Sequence, residues 1–142
     1  KKSFNERNTA NYISLFADSS VSGIVFRFLP SAGASVKYPW LSDWKLYDEE
    51  QYFNKIKNLD NYNSGKGLTL SFKEKNLAVD SALYLYDYSI LLKNENQSLS
   101  EYKGIARFTM KTDGTGNWII SEWTDIQTGS DLSWSDLKGI YH

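Results

Sequence analysis

The sequence predicts an α+β domain on three observations. Apolar residues at helical spacing lie in the first 60 residues and at the C-terminal end; alternating runs fill most of 68–127; turn residues separate the runs without a repeated strand–helix alternation. At 142 residues the chain fits one domain, and residues 1–142 show no repeat, linker or low-complexity tract that would divide it.

The elements follow in order. Lys1 to Arg7 is polar apart from Phe4 and reads as the tail of a longer helix. Thr9 is placed to cap a helix over Asn11 to Ala17, where Tyr12, Ile13 and Phe16 keep helical spacing. Ser3 and Glu6 offer an alternative capping box for one continuous helix, but Asn8-Thr9 suits a helix interior poorly. Asp18 to Gly23 reads as a loop, Ile24 to Leu29 as a strand stopped by Pro30, and Ser31 to Tyr47 as irregular. Asp48 opens the strongest helix: Asp48 and Gln51 have capping-box spacing, and Tyr47 and Tyr52 have that of a hydrophobic staple. Tyr52, Phe53, Ile56 and Leu59 then make one apolar stripe. After a loop over Asn61 to Gly67, strands are expected over Leu68–Lys73, Ser81–Lys93, Tyr102–Lys111 and Trp118–Gln127. Turns fall at Asn94-Glu95-Asn96 and at Asp113 to Asn117. Ser133 can cap a last short helix with Trp134 and Leu137, ending at Gly139.

Alternation sorts the side chains of the sheet. With ordinary hairpins near 97 and 114–115, one face carries Tyr84, Tyr86, Tyr88, Tyr102, Ala106, Phe108, Met110, Ile119 and Trp123 and belongs to the core. The other carries Leu83, Leu85, Asp87, Leu91, Ile105, Arg107, Thr109, Trp118, Ile120 and Glu122, a mixture suited to a partly exposed surface. A one-residue slip would exchange the faces of the shifted strand.

Composition excludes several functions. There are 16 Lys and Arg against 17 Asp and Glu, so the basic excess of a phosphate-tracking protein is missing and no nucleic acid is expected as partner. No apolar run approaches the roughly 20 residues of a transmembrane helix. The chain has no cysteine, which removes disulfides, thiol catalysis and thiolate metal sites. The lone histidine, His142, is terminal and receives no role; no metal or cofactor is implied. What stands out is 15% aromatic residues: five Trp, ten Tyr and seven Phe. The one methionine is Met110, so the sequence is read as a processed form or as part of a longer chain. Cysteine-free composition suits a cell-envelope or secreted location without requiring it.

Several stretches resemble the nuclear transport factor 2-like (cystatin-like, SnoaL-like) superfamily, in particular uncharacterised bacterial envelope proteins and lipoproteins of that fold. They are Phe4 to Asn8, Tyr12 to Asp18, Phe26-Arg27-Phe28, Tyr102 to Phe108, Trp118 to Asp125 and Ser133 to Gly139. The resemblance implies a strongly bent antiparallel sheet, cone-like in shape, wrapped around helices with a cavity between. It also implies a single domain that lacks the start of its first helix. The fold hosts isomerases, dehydratases, hydrolases and members without catalysis, so it does not select a function.

Three sites are candidates. The first is an aromatic-lined cavity for a small apolar or amphipathic molecule, walled by Tyr84, Tyr86, Tyr88, Tyr102, Phe108 and Trp123, in a domain without catalysis. A steroid-isomerase type of site would add an acid facing those phenols, but Asp87 and Glu122 fall on the other face. The second is Asp87, Arg107 and Glu122 on that other face, the acid–Arg–acid arrangement by which a hydrolase or isomerase of this fold would activate water. The same residues also suit cross-strand ion pairs worth well under about 1 kcal/mol. The third is the ring row Tyr38, Trp40, Trp44 and Tyr47, which would stack on carbohydrate or a protein partner if exposed and act as a lid if folded back. Arg27 could clamp a carboxylate, and Asp125 could brace the C-terminal turn or do chemistry. A dimer is compatible with all three.

Overall fold

A computed structural model describes residues 1–59, 67–93, 98–129 and 131–142. Most of the expected 61–67 loop and the 94–96 turn lie outside the described residues. The chain opens with short helices α1 (Lys2–Asn5), α2 (Thr9–Ile13) and α3 (Ser19–Ser22). Then come β1 (Arg27–Leu29), α4 (Ala32–Lys37), a 3₁₀ turn over Pro39–Asp43 and α5 (Leu46–Ile56). Strands β2 (Leu68–Leu77), β3 (Ser81–Lys93), β4 (Leu99–Thr112) and β5 (Trp118–Gln127) follow, and α6 (Trp134–Ile140) closes the chain. The sheet order is β1-β5-β4-β3-β2. β2 to β5 form the antiparallel meander, whereas β1 joins β5 in parallel, so the curled sheet is mixed. Among the described residues no helix is long and apolar enough to cross a membrane.

Local chemistry explains where the elements begin. Asn8, one residue before the expected cap, accepts the backbone N–H of Asn11 and starts α2. The 18–23 stretch is a helical turn rather than a loop: Asp18 accepts the Ser20 N–H, and Gly23 closes it at φ +73°. Asp48 works from inside α5, accepting the Lys45 N–H at 2.8 Å, and so holds the first turn from its third position. Tyr47 is exposed, so the expected staple with Tyr52 does not form. Tyr52, Phe53 and Ile56 are fully buried, as their stripe predicts. β1 is shorter than the expected strand because the edge of β5 is shared. Leu15 and Ala17 bond to the backbone of Ile120, leaving only Glu122–Thr124 for Arg27–Leu29. The 31–47 stretch contains α4 and the 3₁₀ turn, whose short lengths leave no apolar period to read.

The face assignment holds along β3 and β4, where Tyr84 pairs with Phe108, Tyr86 with Ala106 and Tyr88 with Gly104. It changes along β5. Thr109 pairs with Glu122 but Met110 pairs with Ile120, so Ser121 is an extra residue, and its hydroxyl donates to the Thr109 carbonyl. This bulge reverses the alternation of the strand's first half. Trp118 and Ile120 turn to the concave face, and Ile119 turns to a separate crevice beside Ile13 and Val21. The core fills the space between the concave face, α2, α5 and α6, with Phe4, Tyr52, Phe53, Ile56, Trp123 and Leu137 at or below 1% exposure.

Candidate functional site

The concave face divides into an apolar cavity and a polar floor. The cavity has a volume of about 520 Å³. Its sheet wall is Leu68 and Leu70 of β2, Tyr84 and Tyr86 of β3, Phe108 and Met110 of β4, and Trp118, Ile120 and Trp123 of β5. Phe4, Tyr12, Leu15, Phe16 and Trp134 close it from the helical side, with Lys1 at its margin. Each strand contributes alternate residues, and the Ser121 bulge is what brings Trp118 and Ile120 into the same wall as Trp123. Tyr84 and Tyr86 stack at 6.3 Å and are half-buried. Burial raises the Tyr86 phenol above its ordinary value, and the neighbouring Tyr84 adds to it. Among the described residues this wall carries no carboxylate, arginine or histidine.

The polar floor is built from α5, α6 and the end of β5. Glu49 is fully buried and accepts from Tyr12 Oη (2.7 Å), from Trp44 Nε1 (2.7 Å) and from Lys138 Nζ. Lys138, also fully buried, holds its ammonium 3.6 Å from the Trp123 ring centroid and 4.0 Å from that of Phe28. Burial pulls the lysine down to about 8, against the opposing pull of Glu49 and Asp125. Asp125 is buried beside it and accepts from Tyr88 Oη (2.6 Å), Ser135 N (2.7 Å) and Ser135 Oγ (2.5 Å). Its carboxyl is raised by burial, with the Ser135 and Tyr88 bonds working the other way. Tyr88 in turn accepts the Trp134 N–H, and burial together with the Asp125 charge raises its phenol strongly. These bonds seat α6, whose own start is capped by Ser133 and Asp136. The floor therefore satisfies its charges internally. Among the described residues no group of His, Cys, Asp and Glu could hold a metal ion.

The sequence-predicted residues separate accordingly. Tyr84, Tyr86, Phe108 and Trp123 line the cavity; Tyr88 belongs to the floor, and Tyr102 is buried elsewhere in the core, its phenol pushed up to about 12 by desolvation. Asp87, Arg107 and Glu122 lie on the convex face and are not brought together. Asp87 meets Lys73 at 3.6 Å, Glu122 meets Arg27 at 3.8 Å, and exposed Arg107 stands opposite Leu85 and Thr124. The register places Thr109, not Arg107, across from Glu122: the turn over 113–117 and the Ser121 bulge each move β5 by one position. The ring row also splits. Trp44 is buried, and Tyr38 is half-buried against Gly139, where an added Cβ would lie 2.3 Å from its ring. Trp40 and Tyr47 are exposed, and Trp40 stacks on His142 at 5.4 Å. Gly139 therefore gives room for Tyr38 rather than ending α6, which runs to Ile140. Glu49 and Lys138 went unmarked in the sequence although a signal exists. Glu49 sits three and four residues before Tyr52 and Phe53, and Lys138 four after Trp134, so each places a charge on its helix's apolar face.

No protein-family model matches the chain, and no curated protein matches it. Solved structures do. A nuclear transport factor 2-like protein with a cystatin-like fold from Novosphingobium aromaticivorans superposes with a TM-score of 0.52 at 9% identity, covering 92% of this chain and 75% of that one. The chain has the nuclear transport factor 2-like fold. A ketosteroid isomerase-like protein from Erwinia carotovora has a TM-score of 0.60 at 12% identity over 90% of this chain and 87% of that one. A conserved protein from Planctomyces limnophilus reaches 0.62 at 13% identity over 88% and 84%. At such identities the likeness is one of fold. In this fold the helices pack in the concavity of the sheet, as the resemblance implied.

Proposed function

We propose that this nuclear transport factor 2-like domain is a small-molecule-binding module without catalysis, and that its ligand is an apolar or amphipathic molecule held between α1, α2 and the concave face. The observation that carries this is the cavity wall: about 520 Å³, within the size range of small-molecule sites, bounded almost wholly by aromatic and aliphatic side chains. The buried acids of the floor are occupied, Asp125 with Tyr88 and α6 and Glu49 with Tyr12, Trp44 and Lys138, which supports binding over chemistry. A neutral fluorescent probe, N-phenyl-1-naphthylamine, tests the reading. It should bind one per chain with a blue-shifted emission, and Ile120→Trp or Leu70→Trp, which fill the cavity, should abolish the signal while the fold persists by circular dichroism. Folded wild-type protein that takes up no probe, or filled variants that bind it as well, would overturn the proposal.

A further inference from the structure

β2 carries a second bulge, placed where the strand leaves the cavity. Phe72 pairs with Tyr86 but Glu74 pairs with Leu85, so Lys73 is an extra residue and the alternation reverses beyond it. Without the extra residue Glu74 would stand opposite Tyr84 on the concave face. With it, Lys75 takes that place and Glu74 turns to the convex face with Leu85. The bulge thus sets a cation where an anion would otherwise stand, beside a ring of the cavity wall. Lys73 pairs with Asp87, whereas Lys75 is exposed and has no ion-pair partner among the described residues. Phe72, 59% exposed, lies 6.1 Å from the Tyr86 ring and carries the apolar wall out along β2 toward Lys75. A second cation comes from α1. The Asn5 side chain bonds both the N–H and the carbonyl of Leu68, pinning α1 to β2, and Lys1, one turn earlier, stands at the cavity margin.

We infer that the cavity takes a single-chain amphiphile with an anionic head, a long-chain carboxylate, its tail inward and its head at the β2 side of the mouth beside Lys75, with Lys1 as the second cation. The inference rests on the cavity reading above and adds the charge and the orientation of the ligand to it. Among the described residues the wall has no carboxylate to repel such a head. At the exposed Lys75 the head keeps water on one side, so the pair escapes the desolvation penalty of a buried charge. A cationic amphiphile would meet two lysines instead.

The test is displacement of N-phenyl-1-naphthylamine at low salt by decanoate, 1-decanol and decyltrimethylammonium, one tail length with three head charges. Lys75→Gln should weaken decanoate roughly two- to fivefold, the value of one exposed ion pair, and leave 1-decanol unchanged. Lys1→Gln should add to that loss, and Lys75→Glu should exceed it while strengthening decyltrimethylammonium. Raising the salt should erase the difference between wild type and Lys75→Gln. Glu74→Lys, a charge change one residue away on the convex face, should leave decanoate binding as it is. Wild-type protein should stay in solution when phosphatidylglycerol vesicles are sedimented; Lys75-dependent pelleting would overturn the free amphiphile in favour of a bilayer. Decanoate affinity unchanged in Lys75→Glu would overturn the inference, reduce Lys75 to a charge guarding the sheet edge, and leave the cavity standing. Equal weakening of decanoate and 1-decanol, or a gain in Glu74→Lys as large as the loss in Lys75→Glu, would also refute it. Folded wild-type protein that binds neither the probe nor any of the three amphiphiles would sink the cavity reading itself.

Discussion

Replacing Lys138 by Met removes one charge from the floor and nothing else of its size. Glu49 then stays buried with two donors, Tyr12 Oη and Trp44 Nε1, and no cation. Breaking a buried ion pair from one side costs about 3–5 kcal/mol, because the remaining charge keeps its desolvation penalty. The Met side chain still packs on Phe28 and Trp123, so the loss is electrostatic rather than a cavity. For 142 residues the unfolding entropy near the midpoint is about 0.3 kcal/mol per degree, so the melting temperature should fall by about 10–17 °C. Glu49→Gln in the Lys138→Met background should recover at least half of this, since the neutral amide oxygen still accepts a hydrogen bond and no charge is stranded. Differential scanning calorimetry of wild type, both single variants and the double variant completes the cycle. A Lys138→Met protein within 1 kcal/mol of wild type, or a double variant no more stable than that single one, would refute the view that Glu49 depends on Lys138.

Three further outcomes follow from the same geometry. Gly104→Ala would place its Cβ 2.6 Å from both the Ile126 carbonyl oxygen and the Tyr88 hydroxyl, so overpacking should cost about 1–3 kcal/mol in guanidinium unfolding; a loss under 0.5 kcal/mol would contradict the packing described. Tyr102, pushed up to about 12 by burial, favours the folded state's protonated form. Its contribution is whole below pH 10 and is lost as pH rises through about 12, at about 1.4 kcal/mol per unit in between. Tyr102→Phe should therefore show a shallower alkaline decline in melting temperature over pH 10–12 than wild type; parallel declines would count against it. Arg27→Ala breaks only an exposed 3.8 Å pair with Glu122 and should shift stability by no more than about 0.5 kcal/mol, which a melting curve reads directly.

Much of the fold was legible because periodicity is a local property. The α5 stripe, the β3 and β5 boundaries and the Ser133 cap all emerge from spacing along one segment. The cavity was half legible for the same reason: Tyr84, Tyr86 and Phe108 alternate as their strands do, whereas Trp118 and Ile120 join them only through the Ser121 bulge. A single inserted residue carries no mark in the sequence.

The sequence by itself determined the α+β order, the aromatic concave face, and the exclusion of thiol chemistry. Each depends on residue type or on neighbours within a few positions. Only the tertiary structure decided which aromatics face an open volume and which are spent on bonds. Tyr88 and Trp134 are rings like Tyr86 and Trp123 until Asp125 and Tyr52, 37 and 82 residues away, take up their polar atoms. Burial of Glu49 with Lys138 is decided the same way: a charge on an apolar face is tolerable only where another, 89 residues on, is folded against it. Such pairings depend on distance in space, which spacing along the chain does not encode.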